Sequence, residues 1–217
     1  MVQVRYVGNS CRFGYDPDME LSHVTLQGPP LDDQELLERL PKSLVSVLSS
    51  LNGFVQFGGG LHVRGACIEP DWHSLRRAWF GRGSISDLFP AVSQEWVPFA
   101  EDCVGDQFLL KSNGVIRLSA ETGELEDMGL SFVEFLRRAN ADPIEFLAME
   151  PLLQFQQDHG ELPDGHLVHA YPPFCTEESA NGVSLGAVPA WELHQFHAEL
   201  AKSLPDDGGK LRIVVSD

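Results

Sequence analysis

No stretch of this 217-residue chain approaches the ~20 unbroken apolar residues that a membrane-spanning helix requires. Cysteine is scarce as well. Cys11, Cys67, Cys103 and Cys175 are far apart and form no Cys-x-x-Cys pair, which argues against a disulfide framework and for reduced core thiols. The opening residues Met1–Tyr6 lack the basic-then-apolar layout of a secretory signal. No internal repeat or low-complexity tract interrupts the chain. These absences together predict a cytoplasmic globular protein.

Basic residues are also few. Fifteen lysines and arginines stand against thirty-two acidic residues, a net charge of −17. A field of that sign repels phosphate backbones and anionic lipid, so the sequence predicts neither a nucleic-acid nor a membrane partner. It would steer a basic protein towards the chain, although surplus carboxylate also simply keeps proteins soluble. Apolar residues make up 43%, enough for a sizeable core.

The pattern reads as mixed α and β. Val2–Val7 and Cys11–Tyr15 are short strands, and Gln27-Gly28-Pro29-Pro30 breaks the run. Asp32 or Asp33 caps a helical turn over 34–40. Pro41 then opens a helix whose Leu44, Val47, Leu48 and Leu51 fall at i, i+3, i+4 and i+7, closed by Asn52-Gly53. Residues 54–63 read as a turn and short strand around Gly58-Gly59-Gly60, 70–80 as a helix or bulky loop, and 84–89 as a brief helix. Strands follow at 96–100, 106–111 and 114–118, the last two joined by an Asn113-Gly114 hairpin whose turn residues both accept positive φ. A strand at 125–128 leads to Ser131-Phe132-Val133-Glu134, a capping box that opens a helix over 132–138. Past Pro151 the spacing predicts a strand at 166–171, a polar loop over 177–186, a helix over 190–204 with Leu193, Phe196, Leu200 and Leu204 on its apolar side, and a strand at 211–215.

Taken in order, several of these pieces resemble the SUKH superfamily of fungal cell-wall-assembly regulators and bacterial immunity proteins. The likeness runs from Leu40-Pro41 and Leu51-Asn52-Gly53 through Trp96-Val97-Pro98-Phe99-Ala100-Glu101-Asp102 and Gly105-Asp106-Gln107-Phe108. It continues through Asn113-Gly114-Val115 and Glu121-Thr122-Gly123-Glu124 to Ser131–Leu136. It covers about half the chain, from 32 to 147. It implies an α+β fold, a largely antiparallel sheet with helices packed against it, and no enzymatic activity. Residues 1–150 would then form the SUKH-like unit, with 151–217 a βαβ-type extension packed on the same core. The resemblance further implies a protein partner, such as a nuclease or deaminase toxin neutralised by being covered. A regulatory protein that binds an endogenous enzyme is the alternative, and an unrecognised metal-dependent hydrolase a third.

Turn chemistry accounts for much of the shared pattern without a binding site. Asp102 and Asp106 are placed to bond neighbouring backbone N–H groups, while Phe99 and Phe108 read as core. His194 and His197 lie three apart on a helix but outside any His-Glu-x-x-His pattern, and His166 and His169 fall on opposite faces of a strand. Glu121 and Glu124 flank a turn glycine expected to be exposed. No phosphate-binding glycine loop or nucleophile elbow is present. The sequence therefore predicts no catalytic residue, cofactor or metal ligand. Trp96 reads as core, and the candidate partner-binding residues are Trp72, Trp79 and Asp71.

Overall fold

The computed structural model describes residues 9–13 and 16–204. Within them, eight strands form one antiparallel sheet in sequence order. They are β1 (Asn9–Phe13), β2 (Asp16–Gln27), β3 (Phe54–Gln56), β4 (Leu61–Val63), β5 (Val97–Asp102), β6 (Gln107–Lys111), β7 (Gly114–Leu118) and β8 (Leu125–Ser131). Between β2 and β3 come α1 (Gln34–Leu37) and α2 (Lys42–Ser50), and between β4 and β5 come α3 (Leu75–Trp79) and α4 (Ile85–Leu88). After β8 follow α5 (Phe132–Ala141), α6 (Pro143–Phe146) and α7 (Glu150–His159). A two-stranded sheet of β9 (His166–Tyr171) and β10 (Ser184–Pro189), with α8 (Ala190–Ser203), ends the described chain. The architecture is α+β, an antiparallel sheet with helices packed against it.

Local signals explain the two principal helices of the first face. Ser131 Oγ accepts from Glu134 N while Glu134 Oε2 accepts from Ser131 N at 2.9 Å, so two otherwise orphaned donors of α5 are satisfied. Its Phe132, Phe135, Leu136 and Ala139 are buried along one stripe, as are Leu44, Val47 and Leu48 of α2. Both stripes close on the same sheet face, where Phe54, Val63, Ala100 and Phe108 stand opposite one another across β3 to β6. A bulge between Pro98 and Ala100 brings Phe99 into the same core. Phe135 is its centre, 4.5 Å from Phe108 and 5.4 Å from Phe99 between ring centroids.

The opposite face carries a different row. Val55, His62, Glu101, Gln107 and Leu118 are direct neighbours across β3, β4, β5, β6 and β7. Towards β7 this face is covered: Leu109, Ile116 and Leu118 pack with Ile85 and Phe89 around α4 and with Ala198 of α8. Towards β2 and β3 no such layer is present among the described residues. The last strand, β8, closes the sheet on one side and presents Glu126 and Asp127 to solvent.

Several expectations need correction. The 177–186 segment is a loop only as far as 183, with a 3-10 turn over Glu178–Asn181; from Ser184 it is strand, since β10 pairs with β9 along its whole length, from Ser184↔Tyr171 to Pro189↔His166. Backbone pairing supplies what the side-chain pattern of Ser184, Gly186 and Pro189 does not advertise. The β6–β7 hairpin exists, but its left-handed residue is Ser112, at φ 55°, while Asn113 and Gly114 are not in that region. In α8 the buried positions are Ala190, Leu193, His197 and Ala198, and Phe196 is 43% exposed. Helix 70–80 shrinks to α3, and Trp96 precedes β5 half-buried, with Lys111 Nζ 5.2 Å over its ring. The expected strands at 2–7 and 211–215 lie outside the described residues.

Truncating the core centre, Phe135→Ala, is expected to cost about 3–5 kcal/mol of stability, read as a lowered urea midpoint at an unchanged m-value.

Candidate functional site

The row of polar residues on the second sheet face becomes a buried network once the C-terminal segment lies over it. Glu101 is 1% exposed, yet its carboxylate accepts from four side chains. His62 Nδ1 donates to Oε1 at 2.9 Å, and Oε2 accepts from Arg64 Nη2 at 2.7 Å, Gln107 Nε2 at 3.1 Å and His194 Nε2 at 2.7 Å. The donors come from three places. His62 and Arg64 lie in and just beyond β4, Gln107 opens β6, and His194 descends from α8.

The second layer is equally complete. Arg64 donates further to Gln107 Oε1 and Pro98 O, both at 2.8 Å, and Gln107 Nε2 to Gly105 O at 2.7 Å. Burial alone would raise the Glu101 pKa. The charges of Arg64 and His194, with the donated hydrogen bonds, outweigh it and hold the carboxyl well below its ordinary value.

A chain of rings runs outward from the carboxylate. His62 Nε2 lies 2.9 Å from His73 Nδ1, and His73 Nε2 lies 3.2 Å from the Asn52 carbonyl. Burial lowers His73 to about 4, so its neutral ring donates to Asn52 and presents Nδ1 as an acceptor. Three contacts then need three hydrogens, whereas two neutral imidazoles and an ionised carboxylate supply two. Burial pushes His62 down against the pull of Glu101. The neutral His62 ring therefore leaves one of its contacts without a hydrogen, and a proton taken up there completes the chain.

His62 and Glu101 also form the inner end of a groove of about 1150 Å³. Its floor is the half of the sheet face nearer β2, where Leu26 of β2 pairs with Val55 of β3, with Val24 and Thr25 of β2 also in the lining. One wall is α7, through Leu153, Gln156 and Gln157, and the 160–167 segment that follows it. The other is Trp72, whose ring centroid is 5.0 Å from that of His62 and 5.2 Å from that of His73. Gly165 closes against Trp72: a Cβ there would sit 2.8 Å from the indole, and its φ is 70°. Carboxylates of Glu161 and Asp164 stand on the rim, and among the described residues no lysine or arginine lines the groove.

The groove has a solved counterpart in fold. The chain is similar to Atu4351 from Agrobacterium tumefaciens, known as a crystal structure, with a TM-score of 0.58 over 87% of this chain and 93% of that one. Sequence identity is 11%, so the likeness is one of fold alone. No family model and no curated protein matches the chain.

Of the three candidate partner-binding residues, only Trp72 reaches the groove, which His166 also lines. Trp79 is 8% exposed, its Nε1 donating to Gln94 O at 2.9 Å, and is core rather than interface. Asp71 is exposed and faces Arg77 at 3.7 Å, outside the groove lining. His194 and His197 do not act as a pair: the first reaches Glu101, and the second is buried with burial lowering it to about 3. Among the described residues no group of three or more histidine, cysteine or acidic side chains is arranged to hold a metal ion. Glu121, expected to be exposed, is half-buried and accepts from the Phe174 and Cys175 amides. The carboxylate network itself was missed, although Leu61-His62-Val63-Arg64 alternates apolar and polar residues in the manner of a strand.

Replacing the carboxylate, Glu101→Gln, leaves Arg64 buried without its counter-charge and is expected to cost about 3–5 kcal/mol by urea denaturation. A second expectation concerns pH. His73 and His197 are depressed in the fold, so the unfolded chain binds more protons below the ordinary histidine value near 6.5. Their contribution is complete above that value and shrinks on acidification, by roughly 1.4 kcal/mol per pH unit for each residue. Urea midpoints at pH 7.5 and 5 should differ accordingly, and His197→Phe should reduce the difference.

Proposed function

We propose that this protein is a non-enzymatic binding module of the SUKH kind, an immunity protein that neutralises a basic toxin by covering it. The observation that carries this reading is the groove: roomy, floored by apolar strand residues, rimmed by carboxylates and, among the described residues, free of lysine and arginine. Its volume of about 1150 Å³ exceeds the roughly 300–1,000 Å³ of pockets that enclose small molecules, which favours a macromolecular occupant. The net charge of −17 would steer a basic partner to it.

Exposed aromatics suit the same purpose. Ala190 lines the groove, and the next residue, Trp191, is 60% exposed. Tryptophan is over-represented among residues that dominate binding energy. Regulation of an endogenous enzyme would use the same surface, and the identity of the captured partner separates the two.

One observation favours a hydrolytic reading instead, since His62 and Glu101 both face the groove. Against it, the Glu101 carboxylate is already engaged by four donors. The hydroxyl among the lining residues, on Thr25, donates to Val55 O at 3.2 Å. Acid–base chemistry needs a group free to exchange a proton with substrate.

Co-expression with toxins encoded beside this gene tests the proposal. Rescue of growth by one of them, with complex affinity that falls steeply as salt rises from about 0.05 to 0.5 M, is the expected result. Growth unrescued against every neighbouring toxin would count against it, and capture of a housekeeping enzyme would favour the regulatory reading.

A further inference from the structure

The occupant of the groove can be specified more narrowly, on the footing that the molecule binds a protein. The geometry points to an extended segment of the partner that alternates apolar and cationic side chains, its apolar members on the sheet floor and its arginine or lysine groups against the Glu161–Asp164 rim and the Trp72 ring. Three features lead there.

The floor is a sheet face, not a sheet edge. Leu26 and Val55, paired across β2 and β3, present side chains there, while Val24 stands opposite Gln56 and packs on the main core; β2 and β3 use their backbone groups on each other and on their other neighbours. Recognition must therefore be by side chain. Apolar side chains of the occupant would meet Leu26 and Val55, and an extended segment puts every second residue on that side.

The rim fixes the sign. Glu161 and Asp164 are exposed; among the described residues neither makes an ion pair, and no lysine or arginine of the lining neutralises them. Glu101 adds no free charge, because Arg64 compensates it. The uncompensated charge of the groove thus sits on its outer wall, where a long cationic side chain lying over the apolar floor would end.

Trp72 supplies the third feature. His62 and His73 pack against its ring and Gly165 closes behind it, so the indole is fixed in the wall before any partner arrives. A fixed indole face attracts ammonium and guanidinium groups through its quadrupole, guanidinium more often. A rigid aromatic also loses little conformational freedom on binding.

The test uses a fluorescein-labelled nine-residue peptide alternating arginine and valine, a counterpart with glutamate for arginine, and full-length protein. Binding is followed by anisotropy at about 0.15 M salt. Two double variants carry the same change in charge: Glu161→Lys/Asp164→Lys on the rim, and Glu95→Lys/Glu124→Lys at exposed positions outside the groove. Thermal melts establish that each is folded.

The arginine peptide should bind the natural chain and the glutamate peptide should not. Affinity should fall at least tenfold in the rim variant and no more than about threefold in the control, and Trp72→Phe should weaken binding less than Trp72→Leu. Equal losses in the two double variants would mean that only the overall charge matters, and would overturn the inference, as would absence of arginine-peptide binding at millimolar concentration. The wider reading is judged separately. A partner protein that binds the rim variant and the natural chain equally well would remove the groove from recognition while leaving the binding function intact, whereas failure to find any protein partner would remove both.

Discussion

A single carboxylate organises the second face of this protein. Glu101 lies in the middle of an eight-stranded sheet, almost wholly excluded from solvent, and remains ionised because side chains from two other strand regions and from the last helix all donate to it. The arrangement is conditional. Each donor removed leaves a buried charge less compensated, at a cost of several kcal/mol when the lost partner is itself charged. The C-terminal helix is thus joined to the sheet by more than the apolar contact of Ala198, since its His194 completes the shell around Glu101. Anything that lifts α8 also exposes a demand for hydrogen bonds that nothing else nearby can meet.

The groove follows from that same layout. Helices α4 and α8 cover the sheet over β6 and β7, and the chain returns past β4 and β5 to place Trp72 and the 160–167 segment as walls. Among the described residues, no layer covers the half of the face nearer β2. A protein that needed only stability would be expected to bury Leu26 and Val55 more completely. Leaving them at the floor of a groove rimmed by unpaired carboxylates is what makes this region the best candidate for recognition, and it gives Trp72, alone of the three sequence candidates, a place at the site.

What could be read in the sequence was what is encoded locally. The α2 stripe of Leu44, Val47 and Leu48 and the Ser131–Glu134 capping box each lie within one short window, and both appear where the spacing puts them. Asp102 and Asp106 do bond backbone amides, Asp102 those of Val104 and Asp106, and Asp106 that of Ala120. The carboxylate network has no such window. Glu101 is 39 residues from His62 and 93 from His194, and each residue taken alone looks like the solvent-facing member of an alternating strand or a helix flank. Whether a strand's polar face meets water depends on what lies over it, and here the cover arrives from the far end of the chain. The same argument explains Trp79, whose indole found a backbone acceptor at Gln94 and could be buried.

The acidic outer strand has a consequence for how these molecules meet one another. With Glu126 and Asp127 exposed along β8, a second copy approaching in register would set one row of carboxylates against an identical row. Open strands ordinarily invite such pairing and the fibres that grow from it. Here mutual repulsion guards an outer strand edge that no other described strand pairs, so the molecule can keep a long sheet without zipping to its own kind.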